Sequence, residues 1–238
     1  MKTALLFLGT IAAFGLTQPL QASSYEFEET ITKDFDVRPD VELIANASFT
    51  EITIESWDQN TVEVQIDINF EARNEEKANT LREKIQADIQ GSFDLVRVTT
   101  GLDGSWNKDA HDLEISVLIK APANSKLNAD SEFGTINVSN FSNDVTVSCS
   151  FGKMHVKMLT GSSNRITSEY SSGTLSGFGG GQIDVEFGSL EAEQLEGQIE
   201  LNTSYSSVEV LRLDNNVTLL ELENEFGSCD VSVLSTAS

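Results

Sequence analysis

Apolar and polar residues alternate along most of this chain, and from Leu127 to Val233 the alternation recurs with a fixed phase. Phe133, Phe151, Tyr170, Phe187, Tyr205 and Phe226 mark it, with steps of 18, 19, 17, 18 and 21 residues. Six and four residues before each aromatic stand Leu127/Ala129, Val145/Val147, Asn164/Ile166, Gly181/Ile183, Ile199/Leu201 and Leu220/Leu222. Alternate residues of a strand share a face, so these positions and the aromatic are expected on one inward face. A small residue follows each aromatic: Gly134, Gly152, Ser171, Gly188, Ser206 or Gly227. The parity then flips, and apolar residues recur three and five positions after the mark, from Ile136/Val138 to Cys229/Val231. A flip at a small residue predicts a corner, because glycine reaches backbone angles closed to other residues. A third apolar ladder stands eight after the mark: Phe141, Leu159, Phe178, Leu195, Leu213 and Leu234. Ten after it, Asn143, Gly161, Gly180, Gly197 and Asn215 supply a second corner of residues that accept a left-handed turn.

Short strands, two corners and three inward ladders per repeat predict a parallel β-helix, or β-solenoid, with about 18 residues per coil. An antiparallel meander is the rival architecture, but hairpins do not require like side chains at a constant phase. The pattern Glu-Phe-Gly-x-Ile/Leu, as at Glu132-Phe133-Gly134, alternates with Tyr-Ser-Ser. It resembles the bacterial "putative adhesin" β-strand-repeat family. The stretches 43–49 and 52–58 are similar to that family's opening coil. The resemblance implies a β-helical, envelope-exposed bacterial protein, with no catalytic residues to carry over.

Residues 1–22 read as a secretory signal, with Lys2 at the start, an apolar run from Ala4 to Leu16 and Leu20-Gln21-Ala22 before the cut. No cysteine lies near that point, so a lipid anchor is not expected, and the protein is expected in the periplasm or outside the cell. Residues 23–126 read as strands at 26–33, 41–45, 50–55, 60–70, 93–100 and 112–120, with a helix inserted at 74–90. Asn74 is its N-cap, Gly91 its end, and Ala78, Leu81, Ile85 and Ile89 its apolar stripe. Such a helix can cover the open end of a stack. Phe49 carries a first copy of the repeat, with Ile52 and Ile54 three and five after it. Residues 127–238 form the regular stack, continuous with 23–126 as one domain.

The formal net charge of −23 excludes nucleic acid and anionic membrane surfaces as expected partners, since their phosphates would be repelled. Candidate chemistry is sparse. His155 lies between Lys153 and Lys157 on an outward strand face, with Asn137 and Thr174 predicted beside it and no acid. His111 and the loop tryptophan Trp106 stand alone. Gly177-Phe178-Gly179-Gly180-Gly181-Gln182-Ile183-Asp184 resembles a calcium-binding glycine repeat, but Gln182 breaks it and the glycines suit corners better. No cofactor motif is present. Carboxylates gather on one outward face at Asp184, Glu186, Glu200, Glu221, Glu223 and Glu225, a surface that is either merely solvated or able to collect a hard cation. Cys149 and Cys229 fall four coils apart, roughly 19 Å at the usual strand spacing, too far for a disulfide. Both are expected as buried free thiols.

These readings lead to a non-enzymatic, adhesin-like binding module of the cell envelope, whose partner is a protein or a glycan. A carbohydrate-active enzyme on the same scaffold and an envelope-sensing partner protein are the alternatives. An uncovered strand edge at the last coil predicts end-to-end self-association, or a strand added there by a partner.

Overall fold

A computed structural model describes residues 24–103 and 110–233. The expected signal segment, Trp106 and Leu234 lie outside the described residues. In chain order, β1 (Tyr25–Asp36), β2 (Glu42–Ser48), β3 (Glu51–Trp57) and β4 (Thr61–Ala72) precede α1 (Glu75–Arg82). β5 (Ile85–Gly91), β6 (Leu95–Leu102) and β7 (Ala110–Pro122) follow. Next come β8 (Lys126–Glu132), β9 (Thr135–Ser139), β10 (Val145–Ser150), β11 (Lys153–Leu159), β12 (Asn164–Glu169) and β13 (Ser172–Phe178). β14 (Gly181–Glu186), β15 (Ser189–Ala192), β16 (Leu195–Ser204), β17 (Ser207–Glu225) and β18 (Ser228–Val233) complete the described chain. The all-β expectation, with one helix towards the N-terminal end, holds.

The strands pair in two rows. One runs β5–β6–β2–β8–β10–β12–β14–β16 and ends on the second half of β17. The other runs β1–β4–β7–β3–β9–β11–β13–β15, the first half of β17, then β18. From β6 onward in the first row, and from β7 onward in the second, every one of these pairings is parallel. Register follows the sequence phase. Ala45, Ala129, Val147, Ile166, Ile183 and Leu201 form one buried column. In the second row Ile52, Ile136, Met154, Gly173, Leu190 and Val208 form another. Gly173 leaves a gap there that Met154 and Leu190 close from either side. The third ladder pairs Phe141 with Leu159, Leu159 with Phe178, Phe178 with Leu195 and Leu195 with Leu213. Leu213 then pairs with Val233, and Leu234, expected next in this ladder, lies outside the described residues.

Asn164 is the polar member of an inward position and is buried. Its amide donates to Gly161 O at 2.7 Å and Gly180 O at 3.1 Å, and its Oδ1 accepts from Val145 N at 3.1 Å. That satisfies the group where an unpaired amide would cost stability.

The helix expected over 74–90 is corrected. α1 ends at Arg82, and residues 85–91 are strand β5, antiparallel to β6. Asn74 does cap it, accepting from Lys77 N at 3.0 Å, and Ala78 and Leu81 are buried. Ile85 and Ile89, four apart, satisfy a strand period as well as a helical one. Both are β-branched, and pairing with β6 decides in favour of strand. At this end β1 reaches β5, where Lys33 Nζ donates to Ile89 O at 2.7 Å.

Candidate functional site

The aromatics do not face inward. Phe49, Phe133, Phe151, Tyr170, Phe187, Tyr205 and Phe226 all have φ between 48° and 56° and are exposed. Each aromatic is itself the left-handed corner, so its ring swings out of the strand's alternation. Gly134, Gly152, Gly188 and Gly227 take no positive φ; their need is close approach. A Cβ on Gly134 would collide with Thr50 O, on Gly152 with Gly134 O, on Gly188 with Ser171 O and on Gly227 with Ser206 O. Ser171 and Ser206 stand in the same column, buried, with Oγ donating to Cys149 O at 3.0 Å and Val185 O at 3.2 Å. At the second corner, Gly180 (φ 143°) and Gly197 (φ 73°) take the left-handed region, whereas Gly161 is needed for close approach to Asn143.

The rings form a ladder with centroids 4.7–5.0 Å apart and planes within 4–15° of parallel. A left-handed L-residue costs about 1–2 kcal/mol, and a stacked pair returns about 0.5–1.5 kcal/mol beyond burial. The ladder therefore offsets much of the strain that its own corners create. Because the faces cover each other, solvent meets ring edges. Sugar stacking needs faces, so the flank of this ladder is poor material for it. The outer face of Phe226 carries no ring among the described residues, and Phe226 is 74% exposed.

The outward carboxylates divide into two groups. Asp184 and Glu200 are held in a network: Arg165 Nη2 lies 2.9 Å from Asp184 Oδ2 and Arg165 Nη1 donates to Gln182 Oε1 at 2.6 Å. Gln182 Nε2 donates to both acids, and so does Asn202 Nδ2. Glu221, Glu223 and Glu225, one repeat further, are exposed and have no described ion pair or hydrogen bond to their carboxylates. Glu186 is likewise exposed. Among the described residues no three His, Cys, Asp or Glu side chains are arranged to hold a metal ion. Beside the Arg165 network runs an open groove of about 580 Å³, lined by Ser162, Ser163, Gln198 and Glu200 among others.

His155 is exposed on β11, with Nδ1 2.9 Å from Thr174 Oγ1. Its register neighbours are Asn137 and Thr174, a neutral pair that supplies no acid or base. The side chain of His111 lies outside the described residues. Both cysteines are free. Cys149 is buried, but Cys229 is only half-buried, correcting the expectation for it, because among the described residues the last repeat has a neighbour on one side only. Burial pushes both thiols above their ordinary value.

That last repeat is the outstanding surface. Its inward columns continue those of the stack, yet Leu222 is 44% exposed where Leu201, its partner, is 1% exposed. Leu219 is 47% exposed. No described strand pairs with the outer edge of residues 217–225. The aromatic ladder on the surface is not predicted by alternation, which counts the aromatic as inward.

No protein-family model matches the chain, and no curated protein does. Solved structures similar to it include a "putative adhesin" from Parabacteroides distasonis, 10% identical, TM-score 0.40, covering 87% of this chain and 97% of that one. A "putative adhesin" from Bacteroides fragilis is 14% identical with TM-score 0.34 over the same shares. A "putative cell adhesion protein" from Clostridium sporogenes is 9% identical with TM-score 0.31, covering 87% of this chain and 100% of that one. Likenesses of this size carry no argument about what this chain does. No helix among the described residues is long and apolar enough to cross a membrane.

Proposed function

We propose that this protein is a non-enzymatic, adhesin-like binding module of the cell envelope, built as a β-solenoid and engaging its partner through its last repeat. The parallel registers, each displaced by one repeat, support the solenoid reading. The apolar N-terminal run, read as a secretory signal, supports the location. The single observation that carries the binding role is the last repeat, with Leu219, Leu222 and Phe226 exposed beside a strand edge that no described strand pairs with. Open edges of this kind recruit other chains.

The test is capture from native envelope extracts with three proteins: the wild type, Leu219→Lys with Leu222→Lys, and Lys153→Ala on the other row. One envelope protein retained by the wild type and by K153A, and lost by the double variant, is the expected result. Capture that ignores the double variant would overturn the assignment to the last repeat. A glycan ligand is the second reading, favoured by the polar groove beside Arg165. A glycan array on the same protein, with Arg165→Ala as control, distinguishes it.

A further inference from the structure

The last repeat also specifies what would cover it. Along the stack each strand lays apolar residues over apolar residues and a ring over a ring. A strand added parallel to residues 217–225 would stand over Leu220, Glu221, Leu222, Glu223, Asn224 and Glu225, and its next residue over Phe226. Its inward positions would have to be apolar to close the column above Leu220 and Leu222. The next residue would have to be aromatic to stack on Phe226. Its outward positions would fall directly beside Glu221, Glu223 and Glu225, where directly opposed like charges repel and opposite charges attract. Earlier in the stack an arginine and two amides occupy such positions beside Asp184 and Glu200; at the last repeat Asn202 flanks Glu223 on the inner side but bonds Asp184 and Glu200 instead, and nothing described stands on the outer side.

We infer that the outer edge of residues 217–225 is a docking site for an extended segment of another protein in which apolar residues alternate with lysine or arginine and an aromatic follows. The inference rests on the last repeat being the binding surface and adds the chemistry of the occupant. A second copy of this chain is the wrong partner on charge. Two last repeats would oppose their glutamate rows. The other end of this row is β5, whose exposed Gln86, Asp88 and Gln90 offer one more acid and no cation, and the other row ends on β1 with Glu26, Glu28, Glu29, Asp34 and Asp36. Strand addition supplies main-chain hydrogen bonds for affinity, and the alternating side chains supply the selection.

The experiment titrates the full chain with three synthetic peptides by fluorescence anisotropy: Val-Lys-Val-Lys-Ser-Lys-Phe-Gly, the same peptide with Glu for Lys, and the same with Ala for Phe. The lysine peptide should bind saturably and lose affinity as salt is raised. The glutamate peptide should not bind, and the alanine peptide should bind more weakly. The isosteric, surface-only variant Glu221→Gln/Glu223→Gln/Glu225→Gln should weaken the lysine peptide about tenfold, which follows from three exposed pairs. Its thermal midpoint shows that it folds. Equal binding of lysine and glutamate peptides, no binding of either, or an unchanged affinity in the triple variant would overturn the inference. So would concentration-dependent self-association in sedimentation that Leu222→Lys abolishes, since the occupant would then be a second copy. Envelope capture that depends on Leu219 and Leu222 while the lysine peptide fails would leave the binding role standing and remove only the chemistry assigned here.

Discussion

At the scale of the residue, the column behind the aromatics shows how little room the stack leaves. A methyl group on Gly152 would point into the carbonyl of Gly134, whereas Ser171 and Ser206 keep their Cβ atoms and bury their hydroxyls. Glycine rows and serine rows therefore have different backbone orientations. Gly152→Ala should destabilise by about 1–3 kcal/mol, the usual cost of overpacking. Ser206→Ala should cost about 1 kcal/mol for one lost hydrogen bond. Urea melts of the two variants check the pair, and a tolerated G152A would show that the corner can open. Cys149 makes a second residue-scale prediction. Its thiol is buried and its pKa raised by that burial, so little thiolate exists at neutral pH. In folded protein Cys149 should resist iodoacetamide while half-buried Cys229 reacts faster; mass spectrometry of timed quenches reads the order. The sign for stability follows. A raised thiol value favours the protonated folded state, so this contribution is present below the ordinary thiol range and fades as pH rises through the folded value.

At the scale of the element, inward and outward positions of one strand should differ sharply. Ile183 is buried between Ile166 and Leu201, and Asp184 beside it bonds to Arg165 at the surface. Ile183→Asp should abolish cooperative unfolding, because it buries an unpaired charge. Asp184→Asn should cost less than about 1 kcal/mol. Circular dichroism melts of both test the phase, and similar losses would contradict it. That phase was legible from sequence: constant spacing placed Ile166, Ile183 and Leu201 in one column before any pairing was known. The corner was legible too, but not the residue that makes it. Parity assigns the aromatic inward, and nothing in a phenylalanine announces a φ near 50°; only the glycine or serine following all but Phe49 signals a crowded turn. The region from Ile85 to Gly91 misled for a different reason. Its isoleucine spacing fits both periods, and the decision lies in β6, a partner that local pattern does not reveal. The division of the carboxylates was half legible. Their face could be read from alternation, but Asn202 stands beside both Asp184 and Glu223 in register and donates to Asp184, while Arg165 and Gln182 bond Asp184 and no described group bonds the Glu223 carboxylate.

At the scale of the whole molecule, a formal charge of −23 on 238 residues makes self-repulsion a general term in stability. The exposed glutamates of the last repeat add to it, since Glu200 and Glu221 are register neighbours and so are Glu209 and Asp230. Salt should relieve this by screening, over about 10 Å at 0.1 M ionic strength. Calcium offers a sharper discrimination. A hard cation prefers several oxygen ligands at once, and the described residues bring no such group together. Thermal midpoints measured in NaCl and in CaCl₂ at equal ionic strength should therefore rise by the same amount, without saturation in the millimolar range. Glu223→Gln with Glu225→Gln should raise the midpoint in low salt and leave the two salts equivalent. A saturable rise specific to calcium, lost in that double variant, would instead place a cation on this face by preferential binding to the folded state, and the repulsion between neighbouring carboxylates would then be the signature of a site rather than of an acidic surface.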